Sequence, residues 1–269
     1  MDKTVTPSLQ WGDNDLLKDT IHHISLGTLS VWIKQSPQEL SIASHRCDSN
    51  VVHSIKPNDV PQNITWSRWA TKKAYPQLRM LPRFPDRPIV VKPESTFILM
   101  KGAQARIYVK VPLWVQFLVG VRPPVTLIEL PSVILSNTWF GTFFEGEACY
   151  WISSSARIEP AWDDQKPFLA ICPLQLQNNS DDDLQVEKIC LRVSGLSLFK
   201  HGDQLWADET KIHYAGLHES SAIETRGVPP AEAPEAKLLS PARIPMKKGL
   251  AAKTFASLKD LSTYGMTRS

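Results

Sequence analysis

Short apolar segments separated by turn residues dominate the chain from residue 88 to residue 214, and this pattern constrains the fold more than any other feature. In residues 106–111, 168–175 and 186–193, apolar side chains alternate with polar ones or form short continuous runs. Many short strands with almost no helical periodicity are typical of antiparallel β folds. We therefore predict a mainly β protein, an antiparallel β-sandwich or open barrel, with residues 15–24 as the only short helix of the body.

The N-terminal region combines one clear hairpin with a long irregular connection. Residues 29–34 and 40–45 alternate apolar and polar side chains around a Ser-Pro-Gln turn, which predicts an antiparallel pair. Residues 49–87 are rich in proline, asparagine and basic side chains, and we expect aromatic residues to anchor them. The predicted organisation has four segments, which are a hairpin and long loop over 1–87, a β-sandwich core over 88–225, a proline-rich linker over 226–248 and a tail over 249–269.

The tail has the pattern of a short basic amphipathic segment. Its apolar residues fall roughly on one helical face, with lysines outside it, and they are Leu250, Phe255, Leu258 and Leu261. A segment of this length is expected to become helical only when its apolar face packs against another surface. Three interpretations remain open: the tail lies on an anionic membrane surface, docks in a partner's groove, or folds back on its own sandwich.

Charge and hydropathy limit the classes of function and the location of the protein. The chain has 30 basic and 27 acidic side chains, and a net charge of only +3 argues against a dedicated nucleic-acid binder. The first residues lack the pattern of a secretory signal, and no apolar run approaches the ~20 residues of a membrane span. We expect a cytoplasmic protein in a reducing environment.

The four cysteines do not predict a metal site. Cys149, Cys172 and Cys190 lie in strand-like apolar runs, where a reduced cysteine behaves as a small core side chain. His45, Cys47 and His53 form a metal-like grouping, but a fourth ligand is missing and the two close pairs of a structural zinc site are absent from the sequence. The sequence therefore predicts no metal and no cofactor.

A polar and aromatic cluster follows the apolar run 109–119 and gives the best candidate binding surface. It contains Asn137, Thr138, Trp139 and Phe140, and Gly141 ends it. Exposed rings beside an amide could form a platform for a sugar, a base or a partner's side chain. Alternatively, the amide could make a turn while the rings plug the end of the sandwich, and this structural interpretation is favoured because it needs no ligand.

Three groups of motifs resemble a known family. They are Ile107-Tyr108-Val109-Lys110-Val111-Pro112-Leu113-Trp114, Leu135-Ser136-Asn137-Thr138-Trp139-Phe140-Gly141 and Gly146-Glu147-Ala148-Cys149-Tyr150-Trp151. The asparagine-led segment 178–193 and Pro241-Ala242-Arg243 are similar as well. Together they resemble the bacterial branch of the uncharacterised domain family DUF432. The resemblance implies no activity, cofactor or substrate.

The absence of known catalytic motifs decides the order of the functional hypotheses. The sequence contains no G-x-S-x-G, no P-loop, no H-E-x-x-H and no G-x-G-x-x-G motif. The leading hypothesis is a non-enzymatic binding or interaction module with an unknown protein partner, using the 137–140 cluster and the tail. The alternative is a small-ligand or carbohydrate-binding sandwich that uses some of the nine tryptophans. An unrecognised hydrolase is the third possibility.

Overall fold

The computed structural model of the chain describes residues 10–17, 20–46, 60–71, 77–120, 123–157, 166–216, 219–245, 250–252 and 254–255. Within these residues the chain forms 22 strands and one 3-10 turn at Val193–Gly195. The strands of the first half are β1 Gly12–Asp15, β2 Ile21–Leu26, β3 Leu29–Ser36, β4 Glu39–Arg46, β5 Trp66–Ala70, β6 Gln77–Arg83, β7 Ile89–Pro93, β8 Phe97–Leu99, β9 Gln104–Pro112, β10 Trp114–Val119 and β11 Val125–Pro131. The strands of the second half are β12 Ser136–Phe140, β13 Glu147–Ala156, β14 Leu169–Asn178, β15 Leu184–Val186, β16 Ile189–Leu191, β17 Leu198–His201, β18 Gln204–Ala207, β19 Thr210–Tyr214, β20 Ser221–Thr225, β21 Lys237–Ser240 and β22 Leu250–Ala252.

The mainly β fold with antiparallel sheets, predicted from the strand signals, is confirmed. The helix predicted over residues 15–24 is wrong, because β1 ends at Asp15 and β2 begins at Ile21. Cross-strand pairing decides this segment, since His22 lies opposite Ile33 and is buried. In the part of the chain that the structure describes, no helix has the length and apolar character needed to cross a bilayer.

The chain divides into two compact units, and the first comprises residues 1–83 and 113–133. It contains two four-stranded antiparallel sheets, with the orders β1-β6-β10-β11 and β2-β3-β4-β5. The early hairpin predicted from the alternating pattern is confirmed as β3 and β4, with Lys34 opposite Ser41. Trp32 is fully buried in β3 and belongs to the apolar core of this unit.

The second unit comprises residues 84–112 and 134–269. One sheet has the order β12-β13-β7-β16, in which β13 and β7 are parallel. A larger sheet has the order β21-β17-β18-β14-β19-β20-β22. Strands β18 and β19 pair one after the other along one edge of β14, and β9 pairs along the opposite edge. Strands β8 and β15 form a small antiparallel pair.

Strand β14 is the central strand of the larger sheet, and Pro173 interrupts one of its edges. Tyr108 exchanges backbone hydrogen bonds with Arg157 at 2.8 and 3.1 Å, so it makes none to Pro173, its partner in register. The proline nitrogen, which has no hydrogen to donate, therefore faces the edge of β14 that pairs with β18 and β19. There β18 pairs with Ala170 and Ile171, and β19 resumes the parallel pairing only from Leu174.

The segment that we interpreted as a linker carries ordered structure within the second unit. Strand β21 pairs antiparallel with β17. Ala233 and Ala236 are buried in one apolar cluster with Phe199 and Trp206. These contacts attach residues 226–245 to the larger sheet.

Candidate binding surface

The β12–β13 hairpin contains the four residues of the predicted aromatic cluster. Its strands pair antiparallel with Asn137 opposite Tyr150, Thr138 opposite Cys149 and Phe140 opposite Glu147. The predicted turn at Ser136-Asn137 is wrong, because both residues lie inside β12. The chain instead reverses over residues 141–146, where two glycines flank the turn.

Contacts within the tip fix its conformation. The Trp139 indole N–H donates to the carbonyl oxygen of Thr142 at 2.9 Å, and the Thr142 hydroxyl accepts from the Glu145 N–H at 3.1 Å. Gly146 lies directly against the indole, since a Cβ there would be 2.1 Å from Trp139 Nε1. Gly141 has a φ of +109°, which favours glycine. The reversal is therefore a preorganised structure.

This tip presents aromatic side chains to solvent. Phe143 is 76% exposed and Phe144 is 88% exposed, and their rings meet edge to face with centroids 5.2 Å apart. Trp139 is 48% exposed beside them. Phe140 points the other way and is buried with Val90 and two cysteines. The hairpin thus has a buried anchor next to the reversal and an apolar surface at its tip.

Polar contacts surround Asn137 at the base of the hairpin. Arg87 donates to the Asn137 side-chain oxygen at 3.3 Å, and its guanidinium lies 5.5 Å from the centroid of the Tyr150 ring. The Tyr150 hydroxyl donates to Asp86 at 3.0 Å. Burial and this bond to a carboxylate raise the pKa of Tyr150. Asn137 is therefore an exposed member of a polar network at the base of the hairpin.

Two thiols lie beneath the hairpin. Cys149 and Cys190 are buried with their Sγ atoms 4.0 Å apart. The hydrogen bond between the two thiols lowers the pKa of Cys149 and raises that of Cys190, and burial raises the pKa of Cys190 further. The prediction that Cys149, Cys172 and Cys190 are core side chains is confirmed.

A half-buried ionic cluster lies elsewhere in the second unit. Arg106 on β9 makes a bidentate pair with Glu232, at 2.7 and 2.9 Å, and a second ion pair with Glu209. The Tyr108 hydroxyl donates to Glu232 at 2.6 Å. Burial opposes ionisation of Glu232, but the bonds from Arg106 and Tyr108 outweigh it and lower its pKa. Both carboxylates are engaged, so the cluster joins the 226–236 segment to the sheet.

The structure places only part of the predicted tail surface. Leu250 begins β22, which pairs antiparallel with β20, so its backbone is extended where the sequence pattern predicts a helix. Phe255 forms an isolated bridge with Ile189 and stacks edge to face on Tyr214 with centroids 5.4 Å apart. Leu258 and Leu261 lie outside the described residues.

The metal-like grouping of the N-terminal region falls largely outside the described residues. His45 is exposed on β4 opposite Ser30, whereas Cys47 and His53 are among the residues not described.

The sequence reasoning missed Phe143, Phe144 and the thiol pair. Two consecutive phenylalanines bounded by glycines are a local signal that could have identified the tip. Cys149 and Cys190 are 41 residues apart and meet only because β13 and β16 flank β7. This juxtaposition leaves no short motif in the sequence.

The fold and the hairpin define a mainly β protein with an exposed aromatic tip, and the family comparison agrees with the motifs. A family model described as "Protein of unknown function (DUF432)" matches residues 10–259. The chain therefore belongs to the DUF432 family, as its motifs predicted. No curated protein and no solved structure matches the chain.

Proposed function

We propose that this chain is a non-enzymatic binding module that recognises a protein partner through the tip of the β12–β13 hairpin. The exposure of Phe143 and Phe144, at 76% and 88%, is the observation that supports this most strongly. Large apolar side chains exposed side by side carry a hydration cost that binding removes. A cytoplasmic location, as expected from the sequence, belongs to the same proposal.

The preorganised tip makes protein binding physically favourable. Trp139, Thr142 and Gly146 fix the reversal before any partner arrives, so little backbone entropy is lost on association. Aromatic anchors that enter a pocket contribute much of the free energy of many interfaces. The expected partner surface is an apolar pocket wide enough for two rings at 90° to each other.

The two alternative functions receive less support from the geometry. A sugar platform needs rings that lie flat in one plane, and the Phe143 and Phe144 rings are perpendicular. Trp206, one of the tryptophans considered for such a platform, is buried. A hydrolase that used the carboxylates of Glu209 and Glu232 as acid and base would need them to react while both are ion-paired with Arg106. We therefore keep carbohydrate binding second and hydrolysis third.

The hairpin tip is a better candidate for partner recognition than Leu250 and Phe255 of the tail. Leu250 and Phe255 already contact strands of their own unit, so they have less surface to offer a partner. Their contacts correspond to the interpretation in which the tail folds back on the protein.

Site-specific photo-crosslinking in host cells tests the proposal. A benzophenone amino acid would replace Phe144 in the full chain, and the control would carry it at Ile244, a residue that is 67% exposed in the same unit. We expect a discrete adduct with another protein from position 144 and none from position 244. An excess of unmodified chain should suppress the adduct. No adduct from 144, or the same adducts from both positions, would contradict the proposal.

A further inference from the structure

Four side chains lie close together below the aromatic hairpin. Glu147 and Cys149 occupy positions i and i+2 of β13, so they share one face of the strand. Cys190 lies on β16, and Arg192 follows the end of that strand. A carboxylate oxygen of Glu147 and the Sγ atoms of Cys149 and Cys190 all lie within 4.8 Å of one another. Arg192 pairs with Glu147 through one carboxylate oxygen.

The separation of the two sulfurs suits a metal ion better than a disulfide. Two thiolates on a tetrahedral Zn²⁺ with bonds of about 2.3 Å are roughly 3.8 Å apart, and the observed Sγ–Sγ distance is 4.0 Å. A disulfide needs Cα atoms within about 7 Å of each other. Strands β13 and β16 flank β7, which places them two strand spacings, roughly 9.6 Å, apart.

The charges around the thiols also balance for a divalent ion. Two thiolates and one carboxylate carry three negative charges, so a bound divalent cation leaves one, which Arg192 neutralises. A neutral cluster avoids the cost of an unpaired buried charge. The ion pair uses Glu147 Oε1 and leaves the other carboxylate oxygen for the metal. Arg192 then orients a ligand, as groups around metal sites commonly do.

We propose that Cys149, Cys190 and Glu147 form a binding site for a thiophilic divalent metal ion such as Zn²⁺. Both cysteines are buried, whereas Glu147 is partly exposed, so the fourth coordination position faces the solvent side and takes a water molecule. The site lies directly below Phe140, the buried anchor of the hairpin. Metal binding would therefore stiffen the hairpin next to its tip, independently of whether the tip binds a partner.

Titration of the reduced full chain with Co²⁺ tests the site. We expect one equivalent to bind with a thiolate-to-cobalt charge-transfer band and the visible bands of a tetrahedral ion. Cys149→Ser and Cys190→Ser should each lose at least half of the charge-transfer intensity and bind more than 10-fold more weakly. Arg192→Met should weaken binding about 10-fold. No charge-transfer band in the wild-type chain would overturn the proposal.

Two cysteine controls distinguish this site from other thiols. Cys172→Ser removes a buried thiol on β14, and Cys47→Ser removes the thiol of the metal-like grouping near the N-terminus. Both should keep the wild-type spectrum. Loss of the band in Cys47→Ser, with an unchanged band in Cys149→Ser, would overturn the assignment.

X-ray absorption of the zinc-loaded wild-type chain keeps the proposal testable if a serine variant fails to fold. The expected shell contains two sulfur atoms at about 2.3 Å and oxygen or nitrogen atoms at about 2.0–2.2 Å. A shell of oxygen and nitrogen alone would contradict the site.

Discussion

The indole nitrogen of Trp139 donates a hydrogen bond to the backbone carbonyl of Thr142, 2.9 Å away, and so closes the turn from which Phe143 and Phe144 project. The bond ties the end of β12 to the middle of the reversal. It explains how a six-residue connection, 141–146, holds two exposed rings in one arrangement.

Trp139→Phe should loosen the tip while the fold is retained. The variant keeps an aromatic ring but removes the indole N–H that donates to Thr142, and a bond of this kind contributes about 1 kcal/mol. We expect faster hydrogen exchange for the amides of residues 141–146, with little change in the larger sheet. Phe143→Leu is the control and should leave exchange as it is. Equal exchange in Trp139→Phe and wild type would show that the bond does not fix the tip.

Gly146→Ala should disturb the tip by overlap. The added Cβ would lie 2.1 Å from Trp139 Nε1 and 2.6 Å from the Thr142 carbonyl oxygen. Displacing the indole should shift its N–H resonance in NMR spectra and lower the free energy of unfolding by about 1–3 kcal/mol. Gly102→Ala is a useful comparison, because its Cβ meets no atom within 4 Å although its φ is +72°. Its indole spectrum should match that of the wild type.

Glu232→Gln should destabilise the second unit in a pH-dependent way. The folded-state pKa of Glu232 is below its ordinary value of 4.5, because bonds from Arg106 and Tyr108 outweigh burial. Its stabilisation is therefore complete above pH 4.5 and is lost as the pH falls through the lower folded-state pKa. We expect a loss of about 1–2 kcal/mol at pH 7, reduced for partial exposure, and a smaller difference at pH 3.

Urea unfolding of both chains at the two pH values measures this effect. Glu235→Gln alters an exposed glutamate three residues away and should match the wild type. A Glu232→Gln deficit that stays constant between pH 7 and pH 3 would contradict the electrostatic explanation.

Asp208→Asn should destabilise the junction between β18 and β19. The two oxygens of the buried Asp208 accept from the backbone N–H groups of Ser197, at 2.8 Å, and Gly227, at 3.0 Å. An asparagine must turn its NH2 group toward one of these donors, which costs about 1–3 kcal/mol. Thermal unfolding would show the loss as a lower Tm. Asp203→Asn, in an exposed turn, is the matched control.

The sequence predicts this fold better than this site, and particular residues show why. The β3–β4 hairpin follows from local alternation and a short turn, both of which are visible in residues 29–45. The parallel pairing of β13 with β7 is non-local, so nothing near Cys149 indicates that Cys190 lies 4.0 Å away. The exposure of Phe143 depends on where β12 ends, and strand boundaries are the least certain part of a sequence pattern.

Binding of the partner captured at position 144 to purified full-length variants tests the central claim most directly. Phe143→Ser with Phe144→Ser should raise Kd at least 30-fold, since two central aromatic anchors contribute more than about 2 kcal/mol. Ile244→Ser removes an apolar side chain exposed elsewhere in the same unit and should change Kd less than twofold. Equal Kd values for the phenylalanine double variant and the wild type would contradict recognition through the hairpin tip.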